Sequence, residues 1–442
     1  MLRLIAWFCL ALQLSLVSVQ AQTREEKVQA DREKVLREAF WIYNDLQAGF
    51  AEARKTGKPL LVVLRCIPCI ECVKLDDELV DRDPTIRPLL EKFVCVRIVS
   101  TNGLDLSTFQ YDTDQSFAVF LLNADGTIYG RFGTRSHRTE WYEDVSLEGL
   151  ARALERGLEW HARYPANRDR LAGKTGQPLE FASPEKYPTL RDKYADSVDF
   201  SRNVVKACIH CHQIGDARRE HYRLQNEAIP ERLFFPYPHP KNLGLVLDPK
   251  QCATVEEVQA DSVAARAGFR PGDEILSLAE QPLLSIADVQ WVLDGFDPRG
   301  GKLPVVIRRD GIEQSLTVSL PAGWRQGGDL NWRASTWGLR RMFLGGMKLE
   351  PLSEEQRRER NLPGHGMALR IEHLGQYGPH AVAKQAGFAA NDILIAFDGR
   401  TDLTTEAEIL WHANNALRSG DKATISYLRN GKIETRKLPI QN

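Results

Sequence analysis

The sequence predicts a multidomain protein of the α/β plus α+β class, and three observations support this prediction. The chain has 442 residues, whereas one hydrophobic core rarely grows beyond about 250–300 residues. Residues 40–164 alternate helical and strand patterns, which is typical of an α/β sandwich. Residues 241–442 contain two copies of one β-rich unit, because landmark residues recur at a spacing of 119 to 120.

The composition excludes one large class of partners. The 58 basic and 59 acidic residues give a net charge of -1, so no overall field steers the chain to nucleic acid or to anionic lipid. Hydrophobic residues make up 43% and charged residues 26% of the chain, which is the balance of globular domains.

Residues 1–21 are predicted to be a cleaved signal peptide. Arg3 precedes an apolar run that ends in Val19-Gln20-Ala21, with small residues where signal peptidase cleaves. The alternative is an uncleaved N-terminal anchor, but the apolar run is short for a membrane span. No later apolar stretch approaches about 20 residues. We therefore expect an exported chain without a membrane span, located in the periplasm or elsewhere outside the cytoplasm.

The first unit is justified element by element. Residues 22–39 are strongly charged and have helix-forming composition, which predicts an exposed lead-in helix. A helical pattern that ends at Gly57 is followed by a β-rich run from Leu60 to Leu64. Further strands are predicted at 93–99, at 117–123 and at the stretch TIYGRFG after a turn, and a helix at 147–162 closes the unit.

The middle of the chain changes character. Residues 165–240 are rich in proline and include a CxxCH motif, so we predict a small irregular module or decorated linker there. The repeat follows: SVAARAGFRPGDEILSL (262–278) aligns with HAVAKQAGFAANDILIAF (380–397). The two units are predicted at 241–322 and 341–442, with a linker at 323–340.

Three cysteines, Cys66, Cys69 and Cys72, follow the predicted strand that ends at Leu64. A helix should begin near Cys69, and the positive end of a helix dipole lowers a thiol pKa toward the reactive thiolate. A structural disulfide, or a soft metal such as Cu(I), is the alternative for these thiols.

The stretch around these cysteines resembles the thioredoxin superfamily over residues 40–163. The matching residues are Ala51, Ala53, Gly57, Lys58, Pro59, Leu60, Cys69, Cys72, Leu75 and Asp76. The resemblance implies thiol–disulfide oxidoreductase activity, with Cys69 as the attacking thiol and Cys72 or Cys66 as the resolving one. The frame Cys66-Ile-Pro-Cys69 is the alternative pairing. The stretch DTDQSFAVF takes the place of the family's cis-proline loop and contains no proline.

The CxxCH motif predicts a covalently attached c-type haem. Cys208 and Cys211 would bind the two vinyl groups and His212 would ligate the iron. No methionine lies between His212 and Met342, so His239 or His221 is the candidate sixth ligand. A bare CxxC disulfide, or a zinc site completed by His212 and His221, is the alternative.

The repeated units resemble PDZ domains of periplasmic high-temperature-requirement proteases, and AGFRPGDEIL carries the resemblance. It implies groove helices at 286–293 and 406–414 and loops that bind peptide C-termini through backbone amides. The candidate loop residues are Leu243, Gly244 and Leu245 in the first copy and Leu344, Gly345, Gly346 and Met347 in the second. The chain has no GxSxG motif and no domain that carries a serine protease triad.

These features together predict an exported redox protein. The cysteine cluster and the haem would act on target proteins that the PDZ pair docks. The alternative is a non-catalytic adaptor with a thioredoxin-like binding platform.

Overall fold

The structure is a computed structural model that describes residues 23–65, 83–115, 117–134, 145–201 and 203–442. Within these ranges, no helix is both long enough and apolar enough to cross a bilayer.

An α/β sandwich forms the N-terminal unit, as predicted. Its sheet has the order β1-β3-β2-β4-β5, in which β1, β3 and β2 are parallel and β4 and β5 antiparallel. All six residues of β2 are buried, because helices and loops cover both faces of the sheet. Its elements are α1 Arg24–Glu38, β1 Ile42–Tyr43, α2 Leu46–Thr56, β2 Leu60–Arg65, α3 Ile86–Leu90, β3 Val94–Ile98, β4 Phe117–Leu122, β5 Ile128–Thr134 and α4 Leu147–Ala162.

Helix α1 corrects the prediction of an exposed lead-in helix. It begins at a capping box formed by Thr23 and Glu26, but its Val28 and Val35 side chains are buried. Its Asp31 carboxylate accepts a hydrogen bond from the Arg65 guanidinium at 2.8 Å. The charged composition therefore concealed a two-residue apolar stripe that attaches the helix to the sheet.

Short helices and turns dominate the connecting segment, residues 165–240. The 14-residue helix α7 lies between the N-terminal unit and the second repeat unit: Arg219 donates to Ser335 O (3.3 Å) and Arg223 to Leu417 O (3.3 Å). The α-helices of the segment are α5 Arg168–Leu171, α6 Val204–Ala207, α7 Cys211–Leu224 and α8 Glu231–Phe234, and 3₁₀ turns lie at Ala172–Lys174, Pro184–Lys186 and Pro240–Leu243.

The two repeat units follow. The first comprises β6 Leu245–Leu247, β7 Val255–Val258, α9 Val263–Ala267, β8 Glu274–Leu278, β9 Gln281–Pro282, α10 Ile286–Gly295, β10 Gly301–Arg309 and β11 Ile312–Leu320. The second comprises α11 Thr336–Leu344, β12 Met347–Pro351, α12 Glu354–Glu359, β13 Leu369–Leu374, the 3₁₀ turn Gly378–Ala381, α13 Val382–Gln385, β14 Ile393–Phe397, α14 Glu406–Ala416, β15 Lys422–Arg429 and β16 Lys432–Pro439. Two sheets, β6-β7 and β11-β10-β8-β9, form the first unit, and one sheet in chain order β12 to β16 forms the second.

The internal repeat extends to individual hydrogen bonds. Arg309 Nε donates to Asp273 Oδ1 at 2.7 Å, and Arg429 Nε donates to Asp392 Oδ1 at the same distance. Each arginine also donates to the carbonyl of the landmark glycine, Gly268 or Gly387. These glycines have φ angles of 88° and 91°, which only glycine adopts readily, so the AGF landmark is fixed by backbone geometry.

The predicted linker at 323–340 is not a flexible connection. Arg325 and Arg333 are buried, and α11 begins at Thr336. Arg325 donates to the carbonyl of Leu293 (2.9 Å) and so caps the carboxyl end of α10. The polar side chains of this stretch form ion pairs and cap a helix where the units pack against each other.

Candidate functional site

The CxxCH segment lies at one edge of the N-terminal sheet. Strands β1, β3 and β2 are parallel, so their carboxyl ends share this edge, which β2 reaches at Arg65. The loop after β3 holds the segment, because Thr101 N donates to Ile209 O (3.1 Å) and Ile209 N donates to Asn102 Oδ1 (2.8 Å). In the sequence, Cys66 follows Arg65 directly.

Cys208 is a buried thiol beneath α1. Its side chain packs with Val28, Val99 and Val204 and is 6% exposed. Burial raises the pKa of the Cys208 thiol, and the Ser100 hydroxyl beside it only partly opposes that shift. At neutral pH Cys208 is therefore an uncharged thiol that behaves as a small apolar residue.

Cys211 begins helix α7 but faces a different apolar cluster. It packs against the group that includes Leu104, Phe109 and Tyr111. Burial raises the pKa of the Cys211 thiol, and the adjacent Tyr111 hydroxyl opposes that shift. Cys208 and Cys211 are both free thiols, so the CxxC disulfide is not formed in this structure.

His212 lies at the surface of the same helix. Its Nδ1 is 3.5 Å from Asp216 Oδ2, and this hydrogen bond raises the pKa of the His212 imidazole. The side chain is 44% exposed, and its ring stacks parallel to that of His210 at 6.0 Å. A carboxylate partner on Nδ1 is a common support for a metal-bound histidine.

The structure separates the two candidate sixth ligands from His212. His221 is nine residues further along α7, which corresponds to about 13.5 Å of helix rise, whereas two nitrogens on one zinc or iron lie within about 4 Å of each other. The described geometry therefore does not bring His212 and His221 together on one zinc or haem iron. His239 is buried, accepts from Lys241 N, and lines a cavity of about 520 Å³ between residues 235–242 and 325–333, away from the motif.

The described residues do not fit a covalently attached haem. A haem would need both sulfurs and the imidazole along one macrocycle, but Cys208 is buried in one apolar cluster, the partly buried Cys211 packs against a different one, and His212 lies at the surface. The cavity next to Tyr111, Ile214 and Gly215 is only about 40 Å³, whereas drug-sized ligands take about 300 Å³ or more. Across the described part of the chain, no group of three or more His, Cys, Asp or Glu side chains is arranged to hold a metal ion.

The first cysteine cluster, Cys66, Cys69 and Cys72, lies outside the described residues. Its predicted redox role therefore stays a prediction.

The predicted carboxylate loop of the first repeat unit is packed against its own chain. Leu243 and Leu245 are buried, and Gly244 has φ 82°. The Gly244 N–H donates to Lys241 O (3.0 Å), and its carbonyl accepts from Gln259 N (2.9 Å). A peptide carboxylate would have to displace the Lys241 carbonyl to reach the Gly244 amide.

The corresponding loop of the second unit is closed in another way. The Gly346 N–H donates to Arg340 O (2.9 Å) and so caps helix α11, and the Gly345 carbonyl accepts from Ala383 N (3.0 Å). Leu344, Gly345 and Gly346 are all buried. Beside them, the Leu349 N–H of edge strand β12 donates to the Glu406 carboxylate of α14 (2.7 Å), which bridges the predicted groove.

An ion-pair network covers the loop that replaces the cis-proline loop, and sequence reasoning missed it. Arg333 donates to Asp112 (2.6 Å), and Ser335 Oγ donates to Asp114 (2.6 Å). In the sequence, this DTD stretch differs from the thioredoxin pattern by its lack of proline. Two aspartates directly before the apolar run Phe117–Leu122 were the available signal, because carboxylates buried beside such a strand need cationic or hydrogen-bonding partners.

Two family models match this chain. A model described as thioredoxin-like matches residues 41–124, and a model described as PDZ domain matches residues 254–309. The chain therefore contains a thioredoxin-like domain followed by a PDZ domain, as the sequence predicted.

Similar curated proteins are probable periplasmic serine endoproteases described as DegP-like. One from Pseudomonas savastanoi pv. phaseolicola is 32% identical over 28% of this chain and 26% of its own length. One from Pseudomonas fluorescens is 26% identical over 41% of this chain and 36% of its own length. The chain thus spans only about a quarter to a third of these relatives.

Solved structures that resemble part of the chain include a serine endoprotease from Yersinia pestis (25% identity, TM-score 0.16, 17% of this chain and 27% of that one). Another is the HtrA-type protease AlgW with a decapeptide (15% identity, TM-score 0.20, 30% of this chain and 38% of that one).

Proposed function

We propose that this chain is an extracytoplasmic thiol–disulfide redox protein that acts at the carboxyl edge of its thioredoxin-like sheet. One observation carries the proposal: β2 reaches this edge at Arg65, and the next residue in the sequence begins the Cys66, Cys69, Cys72 cluster. The predicted signal peptide and the periplasmic relatives support a compartment in which disulfides persist.

The proposed reaction is thiol–disulfide exchange. The Cys69 thiolate attacks one sulfur of a target disulfide, which forms a mixed disulfide and releases one target thiolate. The Cys72 or Cys66 thiolate then attacks the Cys69 sulfur, which forms an intrachain disulfide and releases the second target thiol. The target gains two electrons and the chain loses two, and a dithiol of a reducing partner protein then reduces the intrachain disulfide and is itself oxidised to a disulfide.

Cys208 and Cys211 do not supply the attacking thiolate in this proposal. Burial raises the pKa of both thiols, so little thiolate is present at neutral pH. Their position at the same edge supports a packing role that secures the connecting segment against the thioredoxin-like domain.

Differential alkylation with mass spectrometry tests the proposal. The full chain is equilibrated in glutathione buffers of increasing oxidation, quenched and alkylated. We expect Cys69 to convert to a disulfide with Cys72 or Cys66. Cys95 is a buried residue of β3 whose thiol donates to Leu90 O, and it should remain a thiol throughout. The variants Cys72→Ser and Cys66→Ser each remove one candidate resolving thiol. Mixed disulfides on Cys69 should accumulate in the variant that lacks the thiol that resolves them, and Cys95→Ser is the matched control.

The same experiment separates the proposal from its alternative. If Cys69 stays reduced at every buffer potential and Cys69→Ser leaves the cellular activity intact, the chain is a non-catalytic adaptor. The PDZ domain supports target docking in either case. Docking by peptide C-termini at the predicted loops would require displacement of the hydrogen bonds that Gly244 and Gly346 make within the chain.

A further inference from the structure

Helices α10 and α14 occupy equivalent places in the two repeat units and present the same side-chain chemistry on one face. The equivalent residues are 120 positions apart: a hydroxyl at Ser285 and Thr405, a carboxylate at Asp288 and Glu408, and an indole at Trp291 and Trp411. The local geometry also repeats. Asp288 Oδ2 accepts from Leu284 N at 3.0 Å, and Glu408 Oε2 accepts from the equivalent Thr404 N at 2.6 Å.

In the first unit, strand β5 of the thioredoxin-like domain occupies this face. The Arg131 N–H donates to Asp288 Oδ1 (3.1 Å), and the Arg131 carbonyl accepts from the Ser285 hydroxyl. The Arg131 guanidinium lies 4.2 Å from the centre of the Trp291 ring. Strand β5 is the edge strand of its sheet, so helix side chains bind the backbone groups that β4 leaves unpaired.

This contact is not the strand addition by which PDZ grooves bind peptides. Among the described residues, β5 pairs with β4 only and β6 pairs with β7 only. A hydroxyl, a carboxylate and an indole therefore recognise one residue of an edge strand, through its N–H, its carbonyl and its guanidinium.

In the second unit, the equivalent face borders an open groove of about 410 Å³, lined by Leu403, Ala407, Glu408 and Trp411. Glu408 Oε1 accepts no hydrogen bond from any described residue, whereas the equivalent Asp288 oxygen binds Arg131 N. Thr405 Oγ1 accepts from Glu408 N (3.2 Å), which leaves its hydrogen available to a carbonyl. Trp411 contacts Phe234 and Phe235 and is only partly buried.

The neighbouring face of each helix is filled in both units, so the difference is confined to this one face. From the connecting segment, Tyr237 N donates a hydrogen bond to the Asp294 carboxylate (2.9 Å), and Ile229 N donates one to the side-chain oxygen of the equivalent Asn414 (2.8 Å). Both faces of the helix are therefore occupied in the first unit. In the second unit, the face with Thr405, Glu408 and Trp411 is open.

We propose that Thr405, Glu408 and Trp411 form a docking surface for a partner protein that presents an edge β-strand with an arginine. The strand's N–H would bind Glu408, its carbonyl would bind Thr405, and its guanidinium would pack on the Trp411 indole, where cation and π-face attract each other. The negative charge of Glu408 complements the guanidinium. A second copy of this chain does not offer this strand, because its own α10 buries its Arg131 to 2% exposure.

A peptide with the sequence of residues 126–134 of this chain, with blocked termini, is a suitable probe. The full chain is titrated with it by isothermal calorimetry. Because the tethered β5 already fills the α10 face, a binding signal reports on the second unit. We expect saturable one-to-one binding that weakens at least tenfold in Glu408→Gln and in Trp411→Ala, while Glu354→Gln on the exposed helix α12 binds like the wild type.

A control that does not depend on protein variants is the same peptide with Arg131→Ala, which should bind at least tenfold more weakly. Equal binding of both peptides, or no saturable binding to the wild-type chain, would overturn the proposal. Sedimentation analysis tests whether a second copy of this chain occupies the face instead. A dimer that Glu408→Arg dissociates would identify a second copy on this face and would also overturn it.

Discussion

At the residue scale, one carboxylate organises the helix that carries the CxxCH motif. Glu180 accepts both guanidinium hydrogen bonds of Arg218, at 2.8 and 2.9 Å, and also accepts from the hydroxyls of Tyr187 and Tyr222. Burial alone would raise the pKa of Glu180, but the hydrogen bonds and charge of Arg218 outweigh burial and lower it to about 2. The bidentate geometry is the strong form of this ion pair.

This shift predicts acid sensitivity with a defined direction. A carboxylate whose pKa is lower in the folded state stabilises the fold above its unfolded pKa, and that contribution is lost as pH falls through the folded value. We expect Glu180 to contribute about 2 kcal/mol at neutral pH after solvent screening, and this contribution should disappear between roughly pH 4.5 and pH 2. Urea unfolding of the wild type and Glu180→Gln measures it: the difference between them should shrink across that window. A difference that is constant with pH would contradict the assignment.

The thiols show how the same residue type differs with its surroundings. Cys208 is buried among valines, whereas Cys211 is partly buried against the cluster that includes Leu104 and Tyr111, and burial raises the pKa of both thiols. Reactive cysteines instead lie in partly exposed, electropositive places. A cysteine motif alone therefore does not establish chemistry, and its packing decides between a redox role and a structural role.

At the scale of elements, the packing of α6 and α7 predicts that the CxxCH motif carries no covalent haem. We expect the mature protein, expressed with a cytochrome c maturation system, to lose all haem absorption on denaturing extraction. The reason is that the two sulfurs lie in separate apolar clusters. A c-type cytochrome processed in the same cells is the positive control. Retention of a haem band in the denatured chain would show that this segment repacks around the cofactor.

The pairing of α11 with α14 gives a second prediction at this scale. Arg340 Nη2 donates to Glu406 Oε2 at 2.7 Å, and both side chains are buried, 1% and 5% exposed. Removal of one partner from a buried ion pair typically costs about 3–5 kcal/mol, because the other charge remains buried without its counter-charge. We therefore expect Glu406→Gln to lower the free energy of unfolding by about 3 kcal/mol, measured in guanidinium chloride.

The double variant Arg340→Leu/Glu406→Leu is the matched control for this ion pair. It leaves no buried charge, so it should cost less than the single substitution. If the single variant is as stable as the wild type, the bridge does not hold the second groove closed.

Elements defined by local sequence were predictable, and the contacts between them were not. The predicted helix at 147–162 matches α4, and the landmarks Gly268 and Asp273 predicted the repeat, because both obey rules of turn geometry and nearby pairing. Arg333 was assigned to a linker, because its partner Asp112 is 221 positions away and no periodicity encodes such a pair. The closure of the two predicted peptide loops combines short-range bonds of the Gly244 and Gly346 N–H groups with contacts from Gln259 N and Ala383 N, which lie further along the chain.

At the scale of the whole molecule, one buried ion cluster joins the thioredoxin-like domain to the PDZ domain. Asp288 of α10 lies 2.9 Å from Lys174 Nζ, and its other oxygen binds Arg131 N. Burial lowers the pKa of Lys174, whereas the charge of Asp288 opposes that shift. Because Arg131 and Lys174 are both buried cations, Asp288 is the carboxylate that makes their burial tolerable.

We therefore predict that Asp288→Asn destabilises the junction between these two domains by about 3–5 kcal/mol. Differential scanning calorimetry should show the thioredoxin-like domain unfolding in a separate transition at lower temperature. The repeat supplies a matched control: Glu408→Gln changes the equivalent residue 120 positions later, and it should leave the transitions nearly unchanged, because exposed charges contribute about 0–1 kcal/mol. Lys174→Met added to Asp288→Asn should restore part of the loss, since it removes one unpaired cation. Equal effects of Asp288→Asn and Glu408→Gln would show that this carboxylate does not hold the two domains together.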